Sequence, residues 1–285
     1  MSDAITIRPM HLDDLDCALQ LSTSEGWNQS PDDWKLFINN PVNICIVVEI
    51  NKKIIGTTTA INYSGKVAWI SMVLVDKAYR GIGVSKLLLQ NILEKTWHCK
   101  SVKLDATQAG QHVYKTLGFK EEYFITRMTC LSLSPLPLND DVFIEAIHTN
   151  HIQEIAAFDQ QVFGANRVQL IEYLIKKNTA NSWMIKRNNK VDGFVLGRDG
   201  NKYHHIGPVI ASSLNGAKLL LVKALHQIQH QPVVVDVLND KEELINWLAS
   251  IGFIEQRQFI RMYKGGNFYP GIIAQQYLIC GPEFG

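Results

Sequence analysis

Arg80-Gly81-Ile82-Gly83-Val84-Ser85 is the segment of this 285-residue chain whose residue types most directly suggest chemistry. It follows a β-rich apolar run, Lys66 to Val75, and opens a helical pattern, Ser85 to Trp97, with Leu88 and Ile92 on its inner face. Glycines at such a junction let successive backbone N–H groups turn toward one point without Cβ obstruction. The helix N-terminus behind them adds partial positive charge, so the junction suits an anion such as phosphate. It is not a Walker loop, because Ser85-Lys86 lacks the Gly-Lys order. Nor is it the dinucleotide fingerprint, because Lys86 stands where the third glycine belongs. A plain glycine-rich connection is the simpler alternative.

The elements that must position this loop alternate along residues 5 to 130. Ile5 to Arg8 reads as a strand, and His11 to Leu21 as a helix with Leu12, Leu15, Ala18 and Leu19 at helical spacing. A short helix follows near Asp32 to Ile38. Ile44 to Ile50 and Ile54 to Ile61 form a hairpin across Asn51-Lys52-Lys53. After the loop and its helix come a strand core, Val102 to Leu104, a helix, Gly110 to Leu117, and a strand, Phe119 to Cys130. Leu131 to Asp141, with two prolines and Asn-Asp-Asp, reads as a linker.

The pattern then restarts. IRPMHLDDL matches IEAIHTNHI, pairing His11 with His148; IVVEINKKIIG matches WMIKRNNKVDG, pairing Gly56 with Gly193. LGF-x7-RM recurs as IGF-x7-RM, pairing Gly118 with Gly252 at nearly the same separation. One domain-sized fold is used twice, as residues 1–130 and 142–264. The second copy reads ASSLNGAKL (Ala211 to Leu219) where the first reads VDKAYRGIGVSKL (Val75 to Leu87), four residues shorter across the glycine loop. Whatever that loop does, only the first copy does it. The tail, residues 265–285, carries an apolar stretch, Ile272 to Ile279, expected to pack on a domain surface.

Composition sets bounds on function. The net charge is +1, so bulk electrostatic binding to nucleic acid or an anionic membrane is not expected. Hydrophobic residues are 46% and charged ones 19%, enough apolar content for two cores and too little charge for disorder. Five scattered cysteines without a C-x-x-C pair point to reduced thiols and a cytoplasmic address. No basic, apolar leader and no membrane span is visible. His204-His205 would face opposite sides of a strand, and His226 and His230 have no acidic partner nearby, so no metal is expected.

WISMVLVDKAYRGIGVSKLLL (Trp69 to Leu89) resembles the acyl-CoA-binding motif of the GNAT superfamily of N-acetyltransferases. That motif is an R/Q-x-x-G-x-G/A loop after an apolar strand. Arg80, Gly83 and Ser85 occupy its marked positions, Ser85 departing from the usual Gly or Ala. HVYKTLGF (His112 to Phe119) is similar to the family's tyrosine-x-x-x-Gly-Phe stretch. EGWNQSPDDW, LDATQAG, VYKTLGF and the closing GPEFG further resemble tandem members with a degenerate second acetyltransferase-like domain.

The resemblance implies an α/β (α+β) fold of two tandem GNAT-like domains, each a mixed, mostly antiparallel sheet flanked by helices. It implies direct transfer of an acetyl group from acetyl-CoA to a primary amine, a small molecule being favoured because a second domain over the cleft restricts access. Backbone N–H groups of Arg80, Gly81, Ile82, Gly83, Val84 and Ser85 would hold the pyrophosphate. Val73, Leu74 and Val75 would flank the pantetheine, with one N–H there polarising the thioester carbonyl. Tyr114 matches the family's general acid for the leaving thiolate, although a tyrosine on such a helix also serves as core filler. Many members carry a glutamate on the strand before the loop, whereas Ile70-Ser71-Met72-Val73 holds no carboxylate. Asp105 and Glu25 are candidate bases, though each reads more readily as a turn or capping residue. Glu25 and Trp27 sit where the family builds its acceptor wall. The missing strand glutamate also admits a non-catalytic acyl-CoA sensor or interaction protein.

Overall fold

In the computed structural model, which describes residues 5–137, 144–178 and 181–285, the same order of elements runs twice. The first run is β1 (Ile5–Pro9), α1 (Leu15–Ser24), α2 (Pro31–Ile38), β2 (Ile44–Ile50), β3 (Lys53–Tyr63), β4 (Val67–Val75), α3 (Val84–Lys95), β5 (Ser101–Thr107), α4 (Gln108–Thr116) and β6 (Lys120–Cys130). The second is β7 (Glu145–Ala146), α5 (Ile152–Phe163), α6 (Val168–Lys177), β8 (Trp183–Arg187), β9 (Lys190–Asp199), β10 (His204–Ala211), α7 (Leu214–His226), β11 (Val233–Leu238), α8 (Glu242–Ser250) and β12 (Ile254–Gly265). Local chemistry repeats with the elements. Asn51-Lys52 and Asn188-Asn189 all have positive φ, as the tight hairpin turns β2–β3 and β8–β9 require. Residues 131–137 carry no helix or strand, and the rest of the expected linker lies outside the described residues.

All strands join one mixed, mostly antiparallel sheet, in the order β1-β2-β3-β4-β5-β12-β6-β11-β13-β10-β9-β8-β7, where β13 (Gln276–Leu278) comes from the tail. The two copies therefore exchange their last strands. β5 pairs with β12 of the second copy, and β11 pairs with β6 of the first, the exchanged strands pairing with each other between them. The exchange places Arg261 opposite Asp105 and Arg127 opposite Asp236. Asp105 accepts from Arg261 at 2.8 and 2.9 Å, and Asp236 from Arg127 at 2.7 and 2.7 Å. All four side chains are nearly or fully buried, and each carboxylate receives a bidentate fork. These are the two arginines of the repeated Arg-Met pair.

α3 covers one face of the first half-sheet, its Leu88 and Ile92 sharing a core with Ile55, and α7 and α8 cover the second half. On the opposite face α1, α2, α5 and α6 share one core spanning both copies. The tail enters this core, which corrects the expectation that it packs on a domain surface. β13 is hydrogen-bonded into the sheet between β10 and β11, and Cys280 and Phe284 are fully buried. Phe284 stacks on Phe37 with centroids 5.1 Å apart, Tyr63 Oη donates to the Phe284 carbonyl at 2.7 Å, and Trp69 Nε1 donates to the Pro282 carbonyl at 3.0 Å. No helix among the described residues is long and apolar enough to cross a membrane.

Candidate active site

The connection from β4 to α3 presents backbone donors. Gly81 and Gly83 have φ of 81° and 90°, and a Cβ at either would meet nothing within 4 Å. The left-handed backbone, not a lack of space, is what calls for glycine. Gly83 is the N-cap of α3 and no side chain caps that helix, so its first-turn N–H groups have no side-chain partner there. In the second copy the connection shrinks from residues 76–83 to 212–213, and the Ser213 hydroxyl caps the Gly216 N–H at 3.2 Å.

Beside the loop, β4 and β5 pair only from Val67 to Trp69 and then part. A bulge on β4 contributes: Met72 and Val73 together stand opposite Thr58, and Met72 has a φ of 52°. The Thr57 hydroxyl holds the bulge by donating to the Met72 carbonyl at 2.9 Å, while Thr58 and Thr59 donate to the Ser71 carbonyl at 3.3 Å. Such a bulge bends its strand and ends regular pairing. The parted strands, the glycine loop and α4 enclose a cleft of about 830 Å³. Every residue nominated from the sequence lines it except Ile82, whose side chain is largely exposed.

Tyr114 lies on the α4 wall, edge-on to Phe119 at 5.9 Å between centroids. Gly110 makes room for its ring, since a Cβ there would sit 2.9 Å from Tyr114 Cε2. Burial pushes the phenol up to about 12, so it stays protonated at neutral pH. In the matching VYKTLGF and WLASIGF stretches, the second copy has Leu248 at this place, buried in its core.

The carboxylates of the cleft are unequal. Glu25 pairs with Arg80 at 2.6 Å, and Arg80 Nε also donates to the Val75 carbonyl at 3.2 Å, which ties the loop to α1 and the β4 end. Asp105 commits both oxygens to Arg261; burial pushes its carboxyl up against the pull of that guanidinium. Trp27 lines the cleft and packs against the shared core. His204 pairs with Asp199 at 2.7 Å, while His205 is buried with Nε2 3.4 Å from Asp236. Among the described residues no group of three or more His, Cys, Asp or Glu side chains is placed to hold a metal.

Residues 12–119 match the model of the Acetyltransferase (GNAT) family, and residues 155–278 match that of an Acetyltransferase (GNAT) domain. The chain is a tandem GNAT acetyltransferase. The holothin acyltransferase of Pseudoalteromonas sp. (strain SANK 73390) is 24% identical over 263 residues, which is 91% of this chain and 88% of that relative. A putative acetyltransferase from Pyrococcus horikoshii shares the fold at a TM-score of 0.82, with 20% identity over 99% of this chain and 96% of the other. A tandem GNAT protein from the clavulanic acid biosynthesis pathway shares it at 0.62, with 11% identity over 92% and 98%. Members of the family use acetyl-CoA as cosubstrate, and this tandem GNAT enzyme is an acyl-CoA-dependent N-acyltransferase.

Among the lining residues of the tandem GNAT cleft that were not nominated from the sequence are Gln29, Arg127, Arg257, Phe259, Pro282 and Glu283. Arg127 lies on an exchanged strand of the first copy; Arg257 and Phe259 arrive on its partner from the second; Pro282 and Glu283 arrive on the tail. The repeated Arg-Met pair and the closing GPEFG were their visible signals, but neither reveals which cleft receives them.

Proposed function

We propose that the enzyme transfers an acetyl group from acetyl-CoA directly to the primary amine of a small molecule, in one cleft built on the first copy. The observation that carries this reading is the uncapped N-terminus of α3 at the mouth of the parted β4 and β5. It supplies backbone donors for a pyrophosphate and a slot for the pantetheine beside Val73, Leu74 and Val75. The Tyr114 hydroxyl, held protonated, delivers a proton to the leaving sulfur. A backbone N–H at the bulge polarises the thioester carbonyl, where negative charge develops. Glu25 and Trp27 border the acceptor end, and Asp105, committed to Arg261, positions β12 rather than taking a proton.

A small acceptor is favoured because the tail and β12 form part of the cleft wall. Titration calorimetry with acetyl-CoA, followed by thiol release with a panel of primary amines and lysine peptides, tests the proposal. Binding in the micromolar range with turnover of small amines is expected. Turnover of lysine peptides alone would overturn the acceptor class, and no binding would overturn the cleft assignment.

A further inference from the structure

The acceptor amine must lose a proton, and β4 supplies no carboxylate to take it. Three carboxylates line the cleft. Glu25 has two cations within ion-pair distance, Arg80 at 2.6 Å and Lys77 at 3.7 Å, and both oxygens of Asp105 are held by Arg261. Glu283 is the third. Its Oε1 is held by Arg198 Nη2, while Oε2 receives no side-chain donor among the described residues. From the geometry we infer that Glu283, carried into the cleft by the C-terminal tail, is the base that receives the acceptor's proton. This rests on the acetyltransferase reading of the cleft.

Its mounting is rigid. The backbone on both sides of Glu283 is pinned, Pro282 by Trp69 and Phe284 by Tyr63, and the Phe284 ring stacks on Phe37. Arg198 comes from β9, is nearly fully buried, and is itself held by Asp33 of α2 at 3.1 Å. Arg198 is thus a positioning residue shared between two carboxylates. Other groups facing this cluster are Arg127 of β6, His205 of β10 and, through Asp33, Tyr173 of α6. Burial pushes the Glu283 carboxyl up, with Arg198 and Arg127 opposing, which moves a carboxylate toward the basicity useful near neutral pH.

In the step, the amine nitrogen bonds to the acyl carbon and the carbon–sulfur bond breaks. The proton leaving nitrogen passes to Glu283, the sulfur takes the Tyr114 proton, and solvent restores both groups. Amine plus thioester gives amide plus thiol, with no further reactant.

The test compares wild type with Glu283→Gln for acetyl-CoA affinity and for the pH profile of kcat/KM with the amines found above. Expected are unchanged acetyl-CoA affinity, a loss of about 10²-fold in kcat/KM, and disappearance of the acidic limb. A variant keeping the wild-type rate and limb would overturn the role of Glu283 while leaving the acetyltransferase reading intact. A wild type that neither binds acetyl-CoA nor acetylates any amine would overturn that reading, and the inference with it. If Glu283→Gln does not fold, wild type alone decides, assayed with two acceptors of different amine basicity. A limb fixed in pH supports a protein base; one that follows the amine overturns it.

Discussion

The two copies carry the same elements around two equivalent openings, and they close those openings differently. In the first copy, β4 and β5 part, the helix behind them has no side-chain cap, and glycines hold the loop in a left-handed backbone. In the second copy, β10 and β11 pair only at His204-His205 with Val233-Val234, and β13 then enters the gap as a strand. Parted strands leave edge N–H and C=O groups that must find partners. The second copy meets that demand permanently with its own chain, bonding Leu278 to both neighbours. Ser213 consumes a helix donor, and Leu248 stands in place of the tyrosine. Degeneration here is a filling of the gap by peptide rather than a collapse, and the second half lends β12 and the tail to the wall of the first half's cleft.

That comparison can be broken at the exchanged strands with the largest effect. Arg261→Ala and Arg127→Ala each leave a buried carboxylate unpaired, and each is expected to cost about 3–5 kcal/mol in denaturant unfolding. If either proves neutral, the reciprocal pairs do not hold the copies together. Next in size, Tyr114→Phe is expected to lower kcat about 10²-fold with acetyl-CoA affinity unchanged. Since the phenol titrates only near 12, wild type shows no basic limb from this group below about pH 11. A Tyr114-dependent limb at pH 8 or 9 would contradict the half-buried, protonated acid.

Smaller effects separate the two helix ends. Gly83→Ala forces a side chain into a left-handed backbone at a cost of roughly 1–2 kcal/mol, and it is expected to weaken acetyl-CoA binding measured by calorimetry. Ser213→Ala removes a true cap and is expected to lower stability by about 1 kcal/mol without touching acetyl-CoA affinity. A Ser213→Ala protein that lost acetyl-CoA affinity would place the ligand in the wrong copy.

Much of this was legible in the sequence because it is local. Periodicity gave the elements of the first run within a few residues, and the hairpin turns, the glycine loop and Tyr114 on its helix are dictated by neighbours along the chain. The shortened second loop was equally plain. The β4 bulge was not, since Thr57-Thr58-Thr59 reads as ordinary strand until the Met72 and Ser71 carbonyls are opposite it.

The sequence by itself determined two copies of one α/β fold, one of them with a phosphate-ready loop, because backbone conformation and helix termini follow from residue type and local order. Only the tertiary structure decided which strand lies beside which. β6 and β12 carry the same Arg-Met pair, and their places in the sheet bring Arg127 to Asp236 and Arg261 to Asp105 across long stretches of chain. It likewise decided the place of the last residues. An apolar tail satisfies its local preferences on any greasy surface, and only the gap between β10 and β11, with the aromatic pocket at Phe37, carries Glu283 to the cleft.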